Sequence, residues 1–167
     1  MTTPLTPSER QGQWYFAHSL GLLALRLALG WVFVYAGAQK LFGAFGSPIT
    51  MEGFASALHL PVLPPIAWAY IAAISEFACG ILIMLGLLTR LAAIPLIVTM
   101  LVAIAIATGQ NGFGGKFDEH GLQMGYAYNL VLIVIALSLI LSGAGLISLD
   151  ALIFKRSIYA RGPQPLS

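Results

Sequence analysis

Arg26 and Glu76 each stand inside a long apolar stretch, and an ionisable group in such surroundings is usually paired or functional. Even lenient insertion scales put its cost at about 3 kcal/mol at the centre of a spanning helix. Together the two residues could do two kinds of chemistry. As a buried salt bridge they would fix the register of two helices. As a polar seat they would hold a quinone headgroup, a substrate anion or a proton. Counted from the ends of their apolar runs, Arg26 lies about 8 residues deep and Glu76 about 12, or ~12 and ~18 Å, a gap that a long arginine side chain can close. The sequence therefore predicts that they pair, and both uses of the pair stand open. On the first stretch Arg26, Gly30, Phe33, Gly37 and Lys40 recur at helical spacing. On the second Ala69, Ala72, Ala73, Glu76 and Gly80 do the same. Small residues beside each charge let two backbones approach closely.

Lys40, at the far end of the first stretch, is expected either to snorkel to the headgroups, carrying less of the fold than Arg26, or to join the polar seat. Tyr126, Tyr128 and Asn129 cluster where the last stretch begins. They read as an interfacial aromatic belt or as hydrogen-bonding partners of a quinone carbonyl. His18, His59 and His120 share no helix face at spacings of 3 or 4, which argues against a bis-histidine haem. A metal set drawn from His59, His120, Asp118 and Glu119 would take its ligands from two loops, a weak signal, so no metal is expected. Cys79 has no second thiol to pair with, and there is no phosphate loop, nucleophile–base motif or paired-carboxylate spacing. A redox role would have to borrow its electron carrier. No cofactor is expected to be built into the chain, and a quinone is the carrier considered.

The elements that must position these groups are set by composition. The 167 residues include eight basic and six acidic ones, 8% charged against roughly 25% in a soluble domain, with a mean hydropathy of +0.89. A soluble enzyme is excluded, and so is nucleic-acid binding, because the basic residues are scattered singly apart from Lys155–Arg156. Residues 91–115 and 120–149 carry no Asp, Glu, Lys or Arg, and each window exceeds the ~20 residues that cross a bilayer. The fold class is all-α: an integral membrane four-helix bundle with short interfacial amphipathic helices. Expected spans are about 19–42, 66–88, 91–108 and 126–146, within a transmembrane domain of 18–147. A tail of 1–17 precedes it, and an interfacial helix and tail of 148–167 follow.

With four crossings both termini share one side, together with Thr89–Arg90. That side holds Arg10, Arg90, Lys155, Arg156 and Arg161 against Lys40 and Lys116 on the other, so the termini are expected in the cytoplasm of a cell inner membrane. In the first long loop Met51, Phe54, Ala55 and Leu58 fall on one face of a short helix expected to lie on the membrane surface. The second, GQNGFGGKFDEHGLQMG, holds six glycines and reads as a lid or a turn. Ser148-Leu149-Asp150 is expected to cap a last interfacial helix, with Phe154 toward lipid and Lys155 and Arg156 toward anionic headgroups.

The block RLALGWVFVYAGAQKL at Arg26–Leu41, the block EFACGILIMLGLLTRLAA at Glu76–Ala93 and the GAGLISLD ending at Asp150 resemble, in this order and spacing, the DoxX/DoxD family of small four-helix membrane proteins. The resemblance covers roughly residues 20–155. Cys79 stands where a glycine is usual, and Ala127 where relatives commonly carry an acidic residue. The resemblance implies a membrane subunit of a redox system, linked to quinone and to thiosulfate oxidation or oxidative stress, that is not catalytic alone. Because the chain supplies no electron carrier of its own, the expected partners are the lipid bilayer, a quinone, and a soluble redox protein or a second copy of this chain. The rival expectation is a noncatalytic assembly factor or chaperone that binds partner helices through small residues such as Ser138, Ser142 and Ala144.

Overall fold

The computed structural model describes residues 7–46, 50–58, 60–119 and 121–153, with side chains from Trp14 onward. His59, His120, Phe154, Lys155, Arg156 and Arg161 lie outside the described residues, and so do the expectations placed on them.

Helix α1 runs Pro7–Phe42, so most of the stretch expected as a tail is helix. Pro7 occupies its first turn, where a missing N–H costs nothing, and no proline follows to stop propagation. α2 is Met51–Ser56, started by Thr50, whose Oγ1 accepts from the Gly53 N–H at 3.0 Å. α3 is Pro65–Leu85, with proline again at the start and Gly86 in the left-handed region (φ 69°) closing its end. α4 is Thr89–Ala103, prolonged by a π turn at Ile104–Thr108 and a short 3-10 turn at Gly109–Asn111. Strands β1, Lys116–Asp118, and β2, Gly121–Gln123, pair antiparallel as an exposed hairpin, an order that the glycine-rich loop did not announce. α5 is Ala127–Ser142, and a helical turn at 149–153 ends the described chain.

α1, α3, α4 and α5 form an all-α membrane bundle in which α1 packs chiefly on α3, α3 on α4 and α4 on α5, while α5 returns to α1. Three of these segments, Trp14–Phe42, Pro65–Leu85 and Thr89–Asn111, are long and apolar enough to cross a bilayer, and the fourth, α5, is shorter. The last span was expected to reach residue 146. Gly143, at φ 78°, stops it at Ser142 so that 143–148 can turn back across the bundle end. The main core is built by Leu29, Phe33, Ile83, Leu96 and Leu139, and lipid-facing positions such as Leu91, Val98, Val131 and Val134 are exposed.

Glycines set the α1–α3 register. A side chain on Gly37 would meet the Phe77 nitrogen at 2.7 Å, and one on Gly80 would meet the Gly30 carbonyl oxygen at 2.9 Å, so the backbones touch at both levels. The two sequence stripes do face each other. α1 stops well below the start of α3, and the space above it is filled by α2. Its Met51 and Ala55, with Leu58 just after it, pack on Ala69 and Ala73 of α3. The apolar face of this short helix is the one the spacing predicted. It is buried on α3.

Candidate functional site

The expected pairing of Arg26 with Glu76 does not form. With Gly37 against Phe77, the residue of α1 level with Glu76 is Lys40, and Lys40 Nζ makes the salt bridge and donates a hydrogen bond to Glu76 Oε2. Arg26 lies fourteen residues earlier on α1, about 21 Å of helix rise, beyond the reach of any side chain. The error came from counting depth from the end of each apolar run. α1 is longer than its run, and its end lies deep in the bundle.

Arg26 instead belongs to the bundle end that carries the α3–α4 turn. Its Nη2 donates to the Ile147 carbonyl, its Nη1 lies against Gly86, and Asp150 is the nearby opposite charge. Arg26 is 1% exposed, and its Nε and Nη1, like Thr89 Oγ1, have no hydrogen-bond partner among the described residues. Asp150 caps α4 from a distance in sequence: Oδ1 accepts from the Leu88 N–H at 2.8 Å and Oδ2 from the Thr89 N–H at 3.2 Å. Leu88 is left-handed (φ 49°) and has no side-chain oxygen to cap the first N–H groups of the helix, so the cap arrives from another segment. The Asp150 N–H donates to the Gly86 carbonyl, and the Leu146 N–H to Ser19 Oγ, which ties the returning chain to α3 and α1. Ser148 starts the final helical turn as expected, its Oγ accepting from the Ala151 N–H at 3.1 Å. Ala144, one of the small residues considered for partner helices, is buried under this fold-back.

The Lys40–Glu76 pair has different surroundings. Glu76 is the twelfth of the 21 residues of α3, halfway along a helix that crosses the bundle, and is 3% exposed. Lys40 takes the second of its two expected roles, turned into the bundle onto Glu76, with the Phe54 ring of α2 at 4.6 Å from Nζ. A cavity of about 470 Å³ between α1 and α5 is lined by Lys40, Glu76 and Tyr128, with Trp31, Tyr35 and Gln39 around them. On the other side a cavity of about 400 Å³ lies between α2, α3 and α4. Lys40, Glu76 and Met100 line both, and together form the partition between them.

Three of the six sequence candidates therefore meet at one place: Lys40, Glu76 and Tyr128. Asn129 is buried, but its amide is committed. Its Oδ1 accepts from Thr108 Oγ1 at 3.1 Å, and its Nδ2 lies 3.3 Å from Met100 Sδ, so Asn129 holds the third member of the partition. The π turn brings Thr108 to it, which no spacing rule in the sequence announces. Tyr126 stacks edge-on against Phe113 at 5.6 Å, at the base of the hairpin loop, and lines neither cavity. Gln39 and Met100 were missed. A polar residue next to Lys40 in an apolar run was the available signal for the first, and none existed for the second.

The model of the family described as DoxX matches residues 21–109. An uncharacterized membrane protein of Mycobacterium tuberculosis (strain ATCC 25618 / H37Rv), Rv3486, is 32% identical over 141 residues, covering 81% of this chain and 83% of its own. A Haemophilus influenzae (strain ATCC 51907 / DSM 11121 / KW20 / Rd) protein is 32% identical, covering 81% and 85%. A Bacillus subtilis (strain 168) protein named "Putative oxidoreductase CatD" is 28% identical, covering 81% and 89%. No solved structure matches the chain. With the glycine-set helix pair, the capped α3–α4 turn and the buried ion pair lying within or beside the matched stretch, the chain belongs to the DoxX family.

Proposed function

We propose that this protein is the membrane subunit of a quinone-linked redox system, with a quinone ring seated in the α1–α5 cavity against Lys40, Glu76 and Tyr128. The observation that carries this reading is the ion pair itself: a glutamate buried halfway along α3, paired with a half-buried lysine in the last turn of α1, the two bordering a cavity of about 470 Å³. A charged pair at that depth is expensive, and a ligand site is what such pairs commonly serve. A quinone offers two carbonyl acceptors on a flat apolar ring. The cavity offers the Lys40 ammonium, the Tyr128 hydroxyl and the Gln39 amide as donors, with Trp31 and Leu132 as apolar wall. When bound, the quinone would supply the electron-carrying chemistry for which the chain has no thiol pair of its own. Glu76 would hold the Lys40 ammonium in place, and the name of the Bacillus subtilis relative points toward the same redox setting. Electrons would come from a soluble partner. Both termini would lie in the cytoplasm and the hairpin loop outside, so that a reporter inserted near Gly115 is silent where one fused after the last residue is active.

A short-chain quinone analogue should raise the melting temperature of the detergent-solubilised protein, since a ligand bound only by the folded state adds about 2.7 kcal/mol at a hundred times its Kd. Tyr128→Phe should shrink the shift without unfolding the protein. An unchanged melting temperature at saturating analogue, in folded protein, would end this reading in favour of a noncatalytic assembly subunit.

A further inference from the structure

The cavity between α2, α3 and α4 has a shape and a chemistry of its own. Along α4 and the π turn that prolongs it, its wall runs from Ile94 to Ile106, an elongated groove of about 18 Å with Thr99 between its ends. That is the outline of a chain more than of a ring. Leu58, Trp68, Val102 and Ile106 make the part under and beside α2. Ile71, Ile94 and Val98 line it where the bundle surface opens, and are 47%, 50% and 52% exposed on a face that in a bilayer meets hydrocarbon. Its opening lies among these lipid-facing side chains, so what enters it comes from the lipid phase.

Its polar lining is small: the Ser75 and Thr99 hydroxyls and the Lys40–Glu76 pair, while the Trp68 indole N–H is already committed to the Pro61 carbonyl. The pair is neutral as a unit. A charged headgroup brought beside it would leave one charge uncompensated halfway along a spanning helix, whereas a hydroxyl or carbonyl would meet donors and acceptors at no such cost. Thr99 Oγ1 already donates to the Leu96 carbonyl at 2.9 Å and keeps its capacity to accept.

We propose that this cavity binds a single-chain membrane amphiphile with a compact, uncharged, hydrogen-bonding head, the head at Ser75 and the Lys40–Glu76 pair and the chain in the α3–α4 groove under α2. The site lies on the opposite side of the Lys40–Glu76 pair from the quinone seat and shares that pair with it, but its apolar wall is its own and the proposal does not require a quinone. Phe54 lines this cavity and also faces Lys40 Nζ, so the chain would lie against the same ring that covers the ion pair.

Tryptophan positions make the two sites separable. Trp68 lines this cavity, Trp31 lines the other, and Trp14 is exposed on α1. In full-length Trp14→Phe/Trp31→Phe protein in detergent, a fatty alcohol brominated along its chain is expected to quench Trp68 saturably, at one equivalent. Val98→Phe, which narrows the opening from a half-exposed position, and Ala72→Leu, which fills the wall, should each weaken half-saturation about tenfold, the equivalent of about 1.4 kcal/mol. The fatty carboxylate of the same chain, ionised, should bind about tenfold more weakly than the alcohol. Quenching that rises without saturation, or is untouched by both variants, would overturn the site. Equal binding of the carboxylate, or saturable binding of a brominated phosphatidylcholine, would overturn the uncharged head. A short-chain quinone titrated against Trp31 in Trp14→Phe/Trp68→Phe protein reports the first cavity alone, so failure of one site is told apart from failure of the other.

Discussion

Arg26 and Lys40 occupy the same stripe of one helix, and each has a carboxylate as its opposite charge, yet their surroundings differ. Around Arg26 the chain has folded back: the Ile147 carbonyl, Gly86 and the Asp150 cap enclose it, and it lines neither of the two cavities. Around Lys40 the packing is incomplete on two sides, and the ion pair is the wall between two spaces. A buried charge enclosed by backbone fixes how segments meet. A buried charge left at the edge of a cavity is available to something that enters. Burial goes the same way, Arg26 being 1% exposed and the Lys40 side chain 14%, but what separates the two cases is the open space that Lys40 borders and Arg26 does not.

The largest effect that could break this contrast is expected at Glu76. Glu76→Leu leaves the Lys40 ammonium unpaired and should cost about 3 to 5 kcal/mol, with Lys40→Met recovering part of the loss in the double variant. A double-mutant cycle on detergent-solubilised protein should give a coupling above about 0.5 kcal/mol for Lys40 with Glu76, while Arg26→Leu and Glu76→Leu simply add. Coupling between Arg26 and Glu76 would mean that the helix register is wrong.

Next in size is the register itself. Gly37→Leu forces a side chain into the Phe77 backbone and should destabilise by about 1 to 3 kcal/mol or more, as overpacking does, read as a lower melting temperature. Asp150→Ala should follow at about 1 to 2 kcal/mol for the lost α4 cap, and the response to a quinone analogue should survive it. Loss of that response at intact stability would show that the two polar centres communicate. The smallest effect belongs to Asn129→Leu. It releases Met100 and Thr108 and should leave a stable protein whose Trp31 quenching by quinone is altered, because the partition has lost its brace. An unchanged quenching curve would leave Asn129 with a purely packing role.

Much was legible from the residues. The charge-free windows required a membrane bundle, the spacing of glycines and alanines identified the faces on which α1 and α3 meet, and Met51, Phe54, Ala55 and Leu58 gave the buried face of α2. Ser148 as a cap was readable as well, because capping is local. The partner of each charge was not. A stripe records which side of a helix faces its neighbour and is unchanged when the neighbour slides by a turn, so Arg26 and Lys40 were equally acceptable opposite Glu76. Asp150 as the cap of α4, 61 residues away, is beyond any spacing rule for the same reason.

The sequence by itself determined the solvent this chain folds in, because too few charged groups exist to cover a water-facing surface, and it determined the faces of its helices, because periodicity is a property of one element. Tertiary structure alone decided the register, through backbone contact at Gly30–Gly80 and Gly37–Phe77. With the register it decided that Lys40 rather than Arg26 neutralises Glu76, and that the space around this pair stays open. Those outcomes depend on how far one helix is displaced along another, a distance that no single stretch of residues encodes.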